Sequence, residues 1–315
     1  MNDLKKVALV GTGFVGMSFA YALLNSGECD QLVLIDIDKN KARGEAMDLN
    51  HGLPFAKRNM LIYDGEYSDC HDADIVVIAA GVNQNEGESR IELLSRNLNV
   101  FKSIISPVVE SGFNGIFLVA TNPVDIMTKI TLELSGFDSS KVIGSGTTLD
   151  TARLRYLLGD YFKIDSRNIH AYVIGEHGDS EIIPWSQAYV TTKSIYDIVD
   201  SSNGRFKFND LYKISHNVTY AAQEIIKAKN ATYYGIGMAL VRIVRAIFGD
   251  ERSALTVSVM LNGQYGVEGV YAGLPAIIGR NGVEDIIILD LKENERTSFI
   301  NSCNFLKETA RKIGF

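Results

Sequence analysis

The sequence predicts an α/β fold in which a doubly wound parallel sheet is followed by an α+β domain. Short apolar runs, typical of buried parallel strands, alternate with helical patterns as far as about residue 145. The first run is followed at once by a glycine-rich turn, Gly11–Gly16. After Thr148 the alternation gives way to longer helices and strand-rich stretches. We therefore expect one domain over residues 1–145 and a second over residues 146–315.

The first strand–helix unit, residues 7–24, carries a nucleotide-binding pattern. Its turn, Gly11–Gly16, reads G-x-G-x-x-G, and such glycines allow the backbone to approach a pyrophosphate at the helix N-terminus. The next strand, residues 32–35, ends at Asp36, where a carboxylate accepts hydrogen bonds from a ribose 2′-OH and repels a 2′-phosphate. The first domain is therefore predicted to bind a dinucleotide, with NAD preferred to NADP.

The remaining elements of the first domain continue the alternation. Strands are predicted over residues 60–63, 75–80, 115–120 and 141–143, and helices over residues 39–49, 91–109 and 126–134. Ligands of doubly wound sheets bind at the carboxyl ends of the strands. Asp36, Gly81, Asn122 and Ser145 all fall at such ends, so we expect them to lie at one edge of the sheet.

The second half has a different pattern of elements. Helices are predicted from Thr148 onward and over residues 209–227, 233–248 and 293–313, and strands over residues 169–174, 254–261 and 284–289. Residues 201–208 read as a polar loop.

Composition excludes several classes of protein. The 315 residues are 46% hydrophobic, enough for a substantial core, and the net charge of −7 argues against binding nucleic acid through phosphate contacts. No run approaches the ~20 apolar residues of a membrane span. Cys29, Cys70 and Cys303 form no CxxC pair and are typical of reduced cytoplasmic thiols. The five histidines have no metal-ligand spacing, so we expect no metal.

His177 is the main candidate for acid–base chemistry. It lies between Gly175 and Gly178, directly after a predicted strand, and histidine exchanges a proton near neutral pH. An isolated histidine of this kind is more often a hydrogen-bonded turn residue. Its function therefore depends on partners elsewhere in the chain.

The helix that begins near Thr148 supplies such partners. Asp150 and Arg153 are three residues apart and share a face, whereas Arg155 points to another side. Asp150 has an alternative role as an N-terminal capping carboxylate. Residues 81–90, a polar loop flanked by glycines, predict a mobile lid, with a plain solvated loop as the alternative.

Several of these motifs resemble those of the lactate and malate dehydrogenase superfamily. The resemblance extends over essentially the whole chain. The motifs that carry it are four segments, Gly11–Gly16, Asn122–Asp125, Gly146–Arg153 and Gly175–Ser180. The loop around Gln84 is similar to that of bacterial L-lactate dehydrogenases. The resemblance implies a Rossmann domain that binds NAD and an enzyme that interconverts pyruvate and L-lactate.

The resemblance also implies the roles of individual residues. His177 would exchange the proton, Asp150 would orient its imidazole, Arg153 would bind the substrate carboxylate, and Arg90 would polarise the ketone. The residues that would contact substrate are Gln84, Arg90, Asn122, Asp125, Asp150, Arg153 and Thr232. Those that would contact NAD are Gly11, Gly13, Val15, Gly16, Asp36, Lys41, Tyr67, Gly81, Val82, Ser103, Ala120, Thr121, Asn122 and Ser145.

A regulatory site is implied by the same resemblance. Arg155 and His170 match positions that bind fructose 1,6-bisphosphate at a subunit interface of the related bacterial enzymes. The resemblance also implies that the protein forms a homotetramer. The alternative is an exposed helix arginine and a strand histidine. Asn230 stands where relatives often carry glycine, and asparagine tolerates the left-handed backbone better than most residues.

Two other functions remain open on the sequence alone. One is a malate or broader 2-hydroxy-acid dehydrogenase, and the other is a catalytically idle NAD-binding protein. The idle protein would be expected to lack at least one of His177, Asp150, Arg153 and Arg90, and none is missing.

Gln84 bears on the choice of substrate. Malate-type relatives usually carry arginine at this position, which pairs with a second carboxylate, and an unpaired carboxylate is costly to desolvate. We expect Gln84→Arg to shift preference from pyruvate toward oxaloacetate, measured as the ratio of the two kcat/KM values. An unchanged ratio would contradict this account of the loop.

Overall fold

The computed structural model describes residues 4–82 and 90–315, with only the main chain of Arg90. The predictions for Gln84, for the Arg90 side chain and for most of the lid over residues 81–90 therefore lie outside the described residues.

The helices and strands alternate through the first half of the chain, as predicted. The strands are β1 (Lys6–Val10), β2 (Gln31–Ile35), β3 (Leu61–Asp64), β4 (Ile75–Ile78), β5 (Ile116–Val119), β6 (Val142–Gly144), β7 (Ile169–His170), β8 (Tyr189–Val190), β9 (Lys193–Ser194), β10 (Ser253–Asn262), β11 (Glu268–Gly279) and β12 (Gly282–Ile286). The helices are α1 (Phe14–Ser26), α2 (Lys39–Gly52), α3 (Arg90–Glu110), α4 (Val124–Ser135), α5 (Thr148–Phe162), α6 (Ile195–Asp200), α7 (Phe208–Lys229), α8 (Tyr234–Phe248) and α9 (Glu293–Arg311).

Within the described part of the chain, one nine-stranded sheet has the order β3-β2-β1-β4-β5-β6-β10-β11-β12. Strands β1 to β6 are parallel, and Val7 of β1 lies opposite both Leu32 and Ile75. These short strands consist almost entirely of aliphatic residues because helices cover both faces. The order reverses between β1 and β4, which opens a crevice at their carboxyl ends.

The sheet confirms the predicted fold class, a doubly wound Rossmann sheet followed by a region of mixed helices and strands. Strands β10 to β12 are antiparallel and extend the same sheet through a contact between Ser258 and Gly144. The division near residue 145 falls between β6 and α5 and stays a prediction, since the sheet continues across it.

The sequence prediction missed β11, the longest strand among the described residues. Its glycines and Pro275 read as loop signals. Gly273 is needed because a Cβ there would lie 2.5 Å from Thr147 Oγ1, and the strand therefore passes close to the start of α5. Small residues mark a close approach here and not a break in the strand.

The strand predicted over residues 169–174 is shorter in the structure. Only Ile169 and His170 pair with β8, and side chains of α5 satisfy the backbone beyond them. Arg155 Nε donates to the carbonyl of Ala171 (3.1 Å), and the N–H of Val173 donates to Thr151 Oγ1 (2.9 Å). The chain then enters the loop that carries His177. The other late strand, predicted over residues 284–289, lies a few residues earlier, in β12.

Helix α8 packs against α1 and so brings the second half of the chain over the glycine-rich turn. A Cβ at Gly237 would lie 2.8 Å from the backbone carbon of Ser18, which shows how close the two helices are. At the start of α8, Tyr233 stacks on Phe14, with ring centroids 5.2 Å apart. Within the described ranges, no helix combines the length and apolar character needed to cross a bilayer.

Candidate active site

The loop that carries His177 is fixed at its base by backbone pairing. Ile174 and Ile182 exchange two backbone hydrogen bonds of 2.9 Å, which close the loop. Gly175 and Gly273 exchange two more, of 2.9 and 2.7 Å. Gly175 has φ +89°, a conformation that favours glycine. The six residues between Gly175 and Ile182 thus project from a rigid base.

The structure brings His177, Asp150 and Arg153 together. The imidazole Nδ1 of His177 lies 2.5 Å from Asp150 Oδ2, and Arg153 Nη1 donates to Asp150 Oδ1 (2.7 Å). The Asp150 side chain is 2% exposed, while those of His177 and Arg153 are 24% and 14% exposed. Asp150 lies in the first turn of α5 and contacts both the imidazole and the guanidinium. It is not the helix cap, because Thr147 holds that position.

The electrostatics of the pair favour an ion pair. Burial alone would lower the pKa of His177, but the charge of Asp150 and its hydrogen bond outweigh burial and raise the pKa to about 9. Burial alone would raise the pKa of Asp150, and the charges of His177 and Arg153 hold it below its usual range. Among the described residues no group pairs with His177 Nε2, so this nitrogen is available to a ligand.

Asp125, at the start of α4, contacts the same loop from below. Its Oδ2 accepts the backbone N–H of His177 (2.8 Å), and its Oδ1 accepts the hydroxyl of Ser258 on β10 (2.5 Å). The residue is 2% exposed. Both carboxylate oxygens are thus engaged inside the protein, and the predicted contact of Asp125 with substrate stays a prediction.

The glycine-rich turn has the shape of a phosphate cradle. A Cβ at Gly11 would lie 2.5 Å from the backbone nitrogen of Ala80, and one at Gly16 would lie 1.9 Å from the carbonyl of Gly11. By contrast, nothing lies within 4 Å of a Cβ placed at Gly13, which directly precedes α1. The turn is therefore closed toward the sheet and open at the helix N-terminus, where a pyrophosphate would be held.

Asp36 lies at the carboxyl end of β2, facing this turn. Its Oδ2 accepts both the backbone N–H and the hydroxyl of Thr12 at 2.7 Å. Burial would raise the pKa of Asp36, but these hydrogen bonds from Thr12 lower it. The carboxylate is therefore kept charged beside the cradle, as an NAD ribose requires.

Asn97 of α3 ties the ends of β4 and β5 together and was not found from the sequence. Its Oδ1 accepts the N–H of Val82 (2.9 Å), and its amide lies 3.4 Å from the carbonyl of Asn122. Gly81 lies beside this link, where a Cβ would be 2.6 Å from Thr121. The signal that the sequence offered was one polar residue among the apolar positions of a helix face.

The remaining predicted cofactor residues lie at or near the same edge. Gly81, Val82, Ala120, Thr121, Asn122 and Ser145 follow the adjacent strands β4, β5 and β6. Val15 is half-buried in α1, Tyr67 is half-buried after β3, Lys41 is exposed in α2, and Ser103 is exposed in α3. Their contacts with NAD stay predictions.

Thr232 lies in the link between α7 and α8. Asn230 ends α7 with φ +67°, which confirms that asparagine adopts the left-handed turn there. At the start of α8, a Cβ on Gly235 would lie 2.8 Å from Leu149 of α5. The link therefore lies between the glycine-rich turn and the helix that carries Asp150 and Arg153.

Glu181 is a further acidic group of the site that the sequence did not reveal. Thr219 of α7 donates a hydrogen bond of 2.8 Å to its Oε1. Burial and the charge of Asp150 raise the pKa of Glu181 to about 8, against the opposing effects of Thr219, His177 and Arg153. The position, four residues after His177, gave no signal of these contacts.

The two predicted regulatory residues lie away from His177. Arg155 stacks on Tyr172, 5.1 Å from the ring centroid, and lines a cavity of about 280 Å³ together with Arg167 and Arg242. His170 is exposed on β7. In the described part of the chain, no group of three His, Cys, Asp or Glu side chains could hold a metal ion.

Two family models together match almost the whole chain. Residues 5–144 match the model of the lactate/malate dehydrogenase NAD binding domain, and residues 147–314 match that of the alpha/beta C-terminal domain. An L-lactate dehydrogenase of Geobacillus sp. (strain WCH70) is 53% identical over 97% of this chain and 95% of its own length. L-lactate dehydrogenase 2 of Bacillus cereus is 50% identical over 99% of both chains.

Solved structures show the same similarity. A lactate dehydrogenase from a Medee basin deep-sea metagenome library, MGS-M5, has a TM-score of 0.97 and 54% identity, with 99% of this chain and 100% of that chain covered. The minor L-lactate dehydrogenase of Enterococcus mundtii, in its ligands-bound form, has a TM-score of 0.97 and 45% identity over 99% of both chains.

The chain therefore belongs to the lactate/malate dehydrogenase family and is an NAD-dependent oxidoreductase. Within that family it is similar to bacterial L-lactate dehydrogenases over nearly all of its length.

The cradle gives a direct test of cofactor choice. Asp36→Ser removes the charge that would repel a 2′-phosphate, and we expect the kcat/KM ratio of NADH to NADPH to fall by about tenfold or more. Asp38→Ser is the matched control, because serine also caps helices and Asp38 accepts the N–H of Lys41 at the start of α2. Equal ratios in the two variants would contradict the role of Asp36.

Proposed function

We propose that the protein is an L-lactate dehydrogenase that interconverts pyruvate and L-lactate. NAD, when bound at the cradle, supplies or accepts the hydride. The observation that supports this reaction is the convergence of an imidazole and a guanidinium on one buried carboxylate, in the hydrogen-bonded network His177–Asp150–Arg153. The similarity to L-lactate dehydrogenases favours lactate over malate as the product.

His177 is the proposed proton donor and acceptor. Hydride transfer to the keto carbon leaves negative charge on oxygen, and a proton delivered there lowers the barrier. With Nδ1 held by Asp150, Nε2 is the nitrogen that would face the substrate oxygen. The raised pKa of His177 keeps the ring charged through neutral pH, which suits pyruvate reduction.

Arg153 is the proposed ligand of the substrate carboxylate. One N–H of its guanidinium donates to Asp150. A guanidinium has five N–H donors, so the others allow the two parallel bonds that a carboxylate accepts. Its contact with Asp150 also fixes the distance between the carboxylate-binding group and the imidazole, which suits a short 2-oxo acid.

The other substrate contacts are proposed from the resemblance and their position. Asn122 lies at the end of β5, and Thr232 lies between the glycine-rich turn and α5. Arg90 would polarise the ketone, and Gln84 would disfavour a second carboxylate. The proposed location of the enzyme is the cytoplasm.

A homotetramer regulated by fructose 1,6-bisphosphate is proposed as the active assembly. The paired helices α1 and α8 expose large apolar side chains, among them Tyr21, Tyr234 and Met238, each more than 60% exposed. A patch of this kind is typical of a subunit interface. Arg155, whose cavity Arg167 and Arg242 also line, and His170 would bind a bisphosphate where two copies meet at a two-fold axis.

Replacement of the imidazole tests the reaction most simply. We expect His177→Asn to lower kcat for pyruvate reduction by about 10²–10⁴-fold with little change in NADH affinity. His216→Asn is the matched control, because His216 is an exposed histidine on α7. If His177→Asn turns over at the rate of His216→Asn, the proposed chemistry is wrong.

The pH profile gives a second test. Reduction needs protonated His177, and a pKa of about 9 instead of the ordinary 6.5 keeps that form populated up to about pH 9. We expect kcat/KM for pyruvate to fall, and that for L-lactate to rise, as pH increases through about 9. Asp150→Asn removes the main cause of the raised pKa and should move both changes to lower pH. Identical profiles would contradict the assignment.

Regulation is tested by the effector itself. We expect fructose 1,6-bisphosphate to activate the enzyme at pH 6, and Arg155→Gln to weaken its apparent affinity by about tenfold or more, through loss of a charge-assisted hydrogen bond. Arg280→Gln, an exposed arginine paired with Asp250 elsewhere, is the control. An effector that leaves activity and quaternary state unchanged at pH 6 would remove this proposal.

A further inference from the structure

Asp125 is a buried carboxylate that neither the proton-transfer step nor carboxylate binding requires. It lies on α4, and its oxygens are occupied by the backbone N–H of His177 (2.8 Å) and the hydroxyl of Ser258 (2.5 Å). A residue that contacted substrate would need an oxygen directed at the ligand. With 2% of the residue exposed, Asp125 is directed instead into the protein, beneath the catalytic loop.

The contact with His177 is made through the main chain. Asp150 fixes the ring of His177, while Asp125 fixes the backbone from which the ring projects. A second anchor holds the preceding residue, because the N–H of Glu176 donates to the hydroxyl of Ser302 on α9 (2.9 Å). Of the two anchors, only the one at Asp125 carries a charge.

We propose that Asp125 is a positioning residue, which holds the backbone of His177 and whose negative charge helps to keep the imidazole protonated. The proposal rests on the role proposed for His177. It assigns Asp125 to the catalytic loop and not to the substrate.

The charged groups around this contact determine its effect. The charge of His177 interacts with Asp150 on α5, with Asp125 on α4 and with Glu181 of its own loop segment. Asp150 in turn interacts with Arg153, and Asp125 interacts with Glu176 of the loop and with the Cys303 thiol on α9. Burial raises the pKa of Asp125 to about 6, against the hydrogen bonds from Ser258 and His177. The carboxylate is therefore ionised over the range in which His177 titrates, and its charge raises the pKa of His177.

Asp125→Asn tests the charge while keeping the shape. The amide oxygen still accepts the N–H of His177, and the amide nitrogen donates to Ser258. We expect the pKa of His177 to fall by about half a unit, less than the 1–3 units of a directly paired charge. The readout is an NMR titration of the ¹³C-labelled His177 ring in the enzyme without substrate, assigned by comparison with His177→Asn. The alkaline fall in kcat/KM for pyruvate should move to lower pH by the same amount.

Thr131→Val is the matched control on the same helix. Thr131 is buried and its hydroxyl donates to the Met127 carbonyl, so its loss tests stability without changing a charge near His177. We expect this variant to lower the melting temperature and to leave the His177 titration unchanged. Should Asp125→Asn fail to fold, Asp125→Ser removes the same charge while its hydroxyl can still accept a hydrogen bond, and it should shift the titration in the same direction.

The outcomes are distinct. An unchanged His177 titration in the Asp125 variant that folds, Asp125→Asn or Asp125→Ser, overturns the inference. A higher KM for pyruvate with an unchanged titration assigns Asp125 to the substrate, and this also overturns it. If the titration shifts and the pH–rate profile does not, Asp125 acts on His177 as proposed, and His177 is not the proton donor.

Discussion

The hydrogen bond between His177 and Asp150 is the interaction on which the rest of the site depends. A carboxylate that is 2% exposed is costly to ionise without partners, and here it has two, an imidazole and a guanidinium. The same bond orients the ring, since it occupies Nδ1 and leaves Nε2 for a ligand. One buried charge therefore sets both the protonation of His177 and the position of Arg153.

The fold brings this network to the cofactor cradle. The parallel strands end at one edge, and the reversal of strand order between β1 and β4 opens the crevice there. Strands β10 and β11 extend the same sheet and anchor the catalytic loop through Ser258 and Gly273. Hydride transfer requires nicotinamide and substrate to be positioned relative to each other with a precision of a few tenths of an ångström. A continuous sheet beneath the cofactor cradle and the catalytic loop provides that rigidity.

Local patterns predicted the elements of this arrangement, and the family resemblance supplied the expected roles of their side chains. The glycine-rich turn with Asp36 twenty residues later, and the histidine between two glycines, are short-range signals whose geometry follows from the adjacent strand and helix. The strand β11 was missed because Gly273 and Pro275 have the composition of a loop, and only the close approach to Thr147 explains the glycine. Asn97, Glu181 and Ser258 could not be found, because each acts through a partner at least 15 residues away and carries no local pattern.

The protonation state of the His177 ring tests this account most directly. In ¹⁵N NMR spectra of the wild-type enzyme with ¹⁵N-labelled histidine, both ring nitrogens of His177 should carry protons at pH 8, since the Asp150 charge raises its pKa to about 9. A neutral imidazole at pH 8, with one nitrogen unprotonated, would contradict the account, because the buried carboxylate would then not hold the charge on which the proposed chemistry depends.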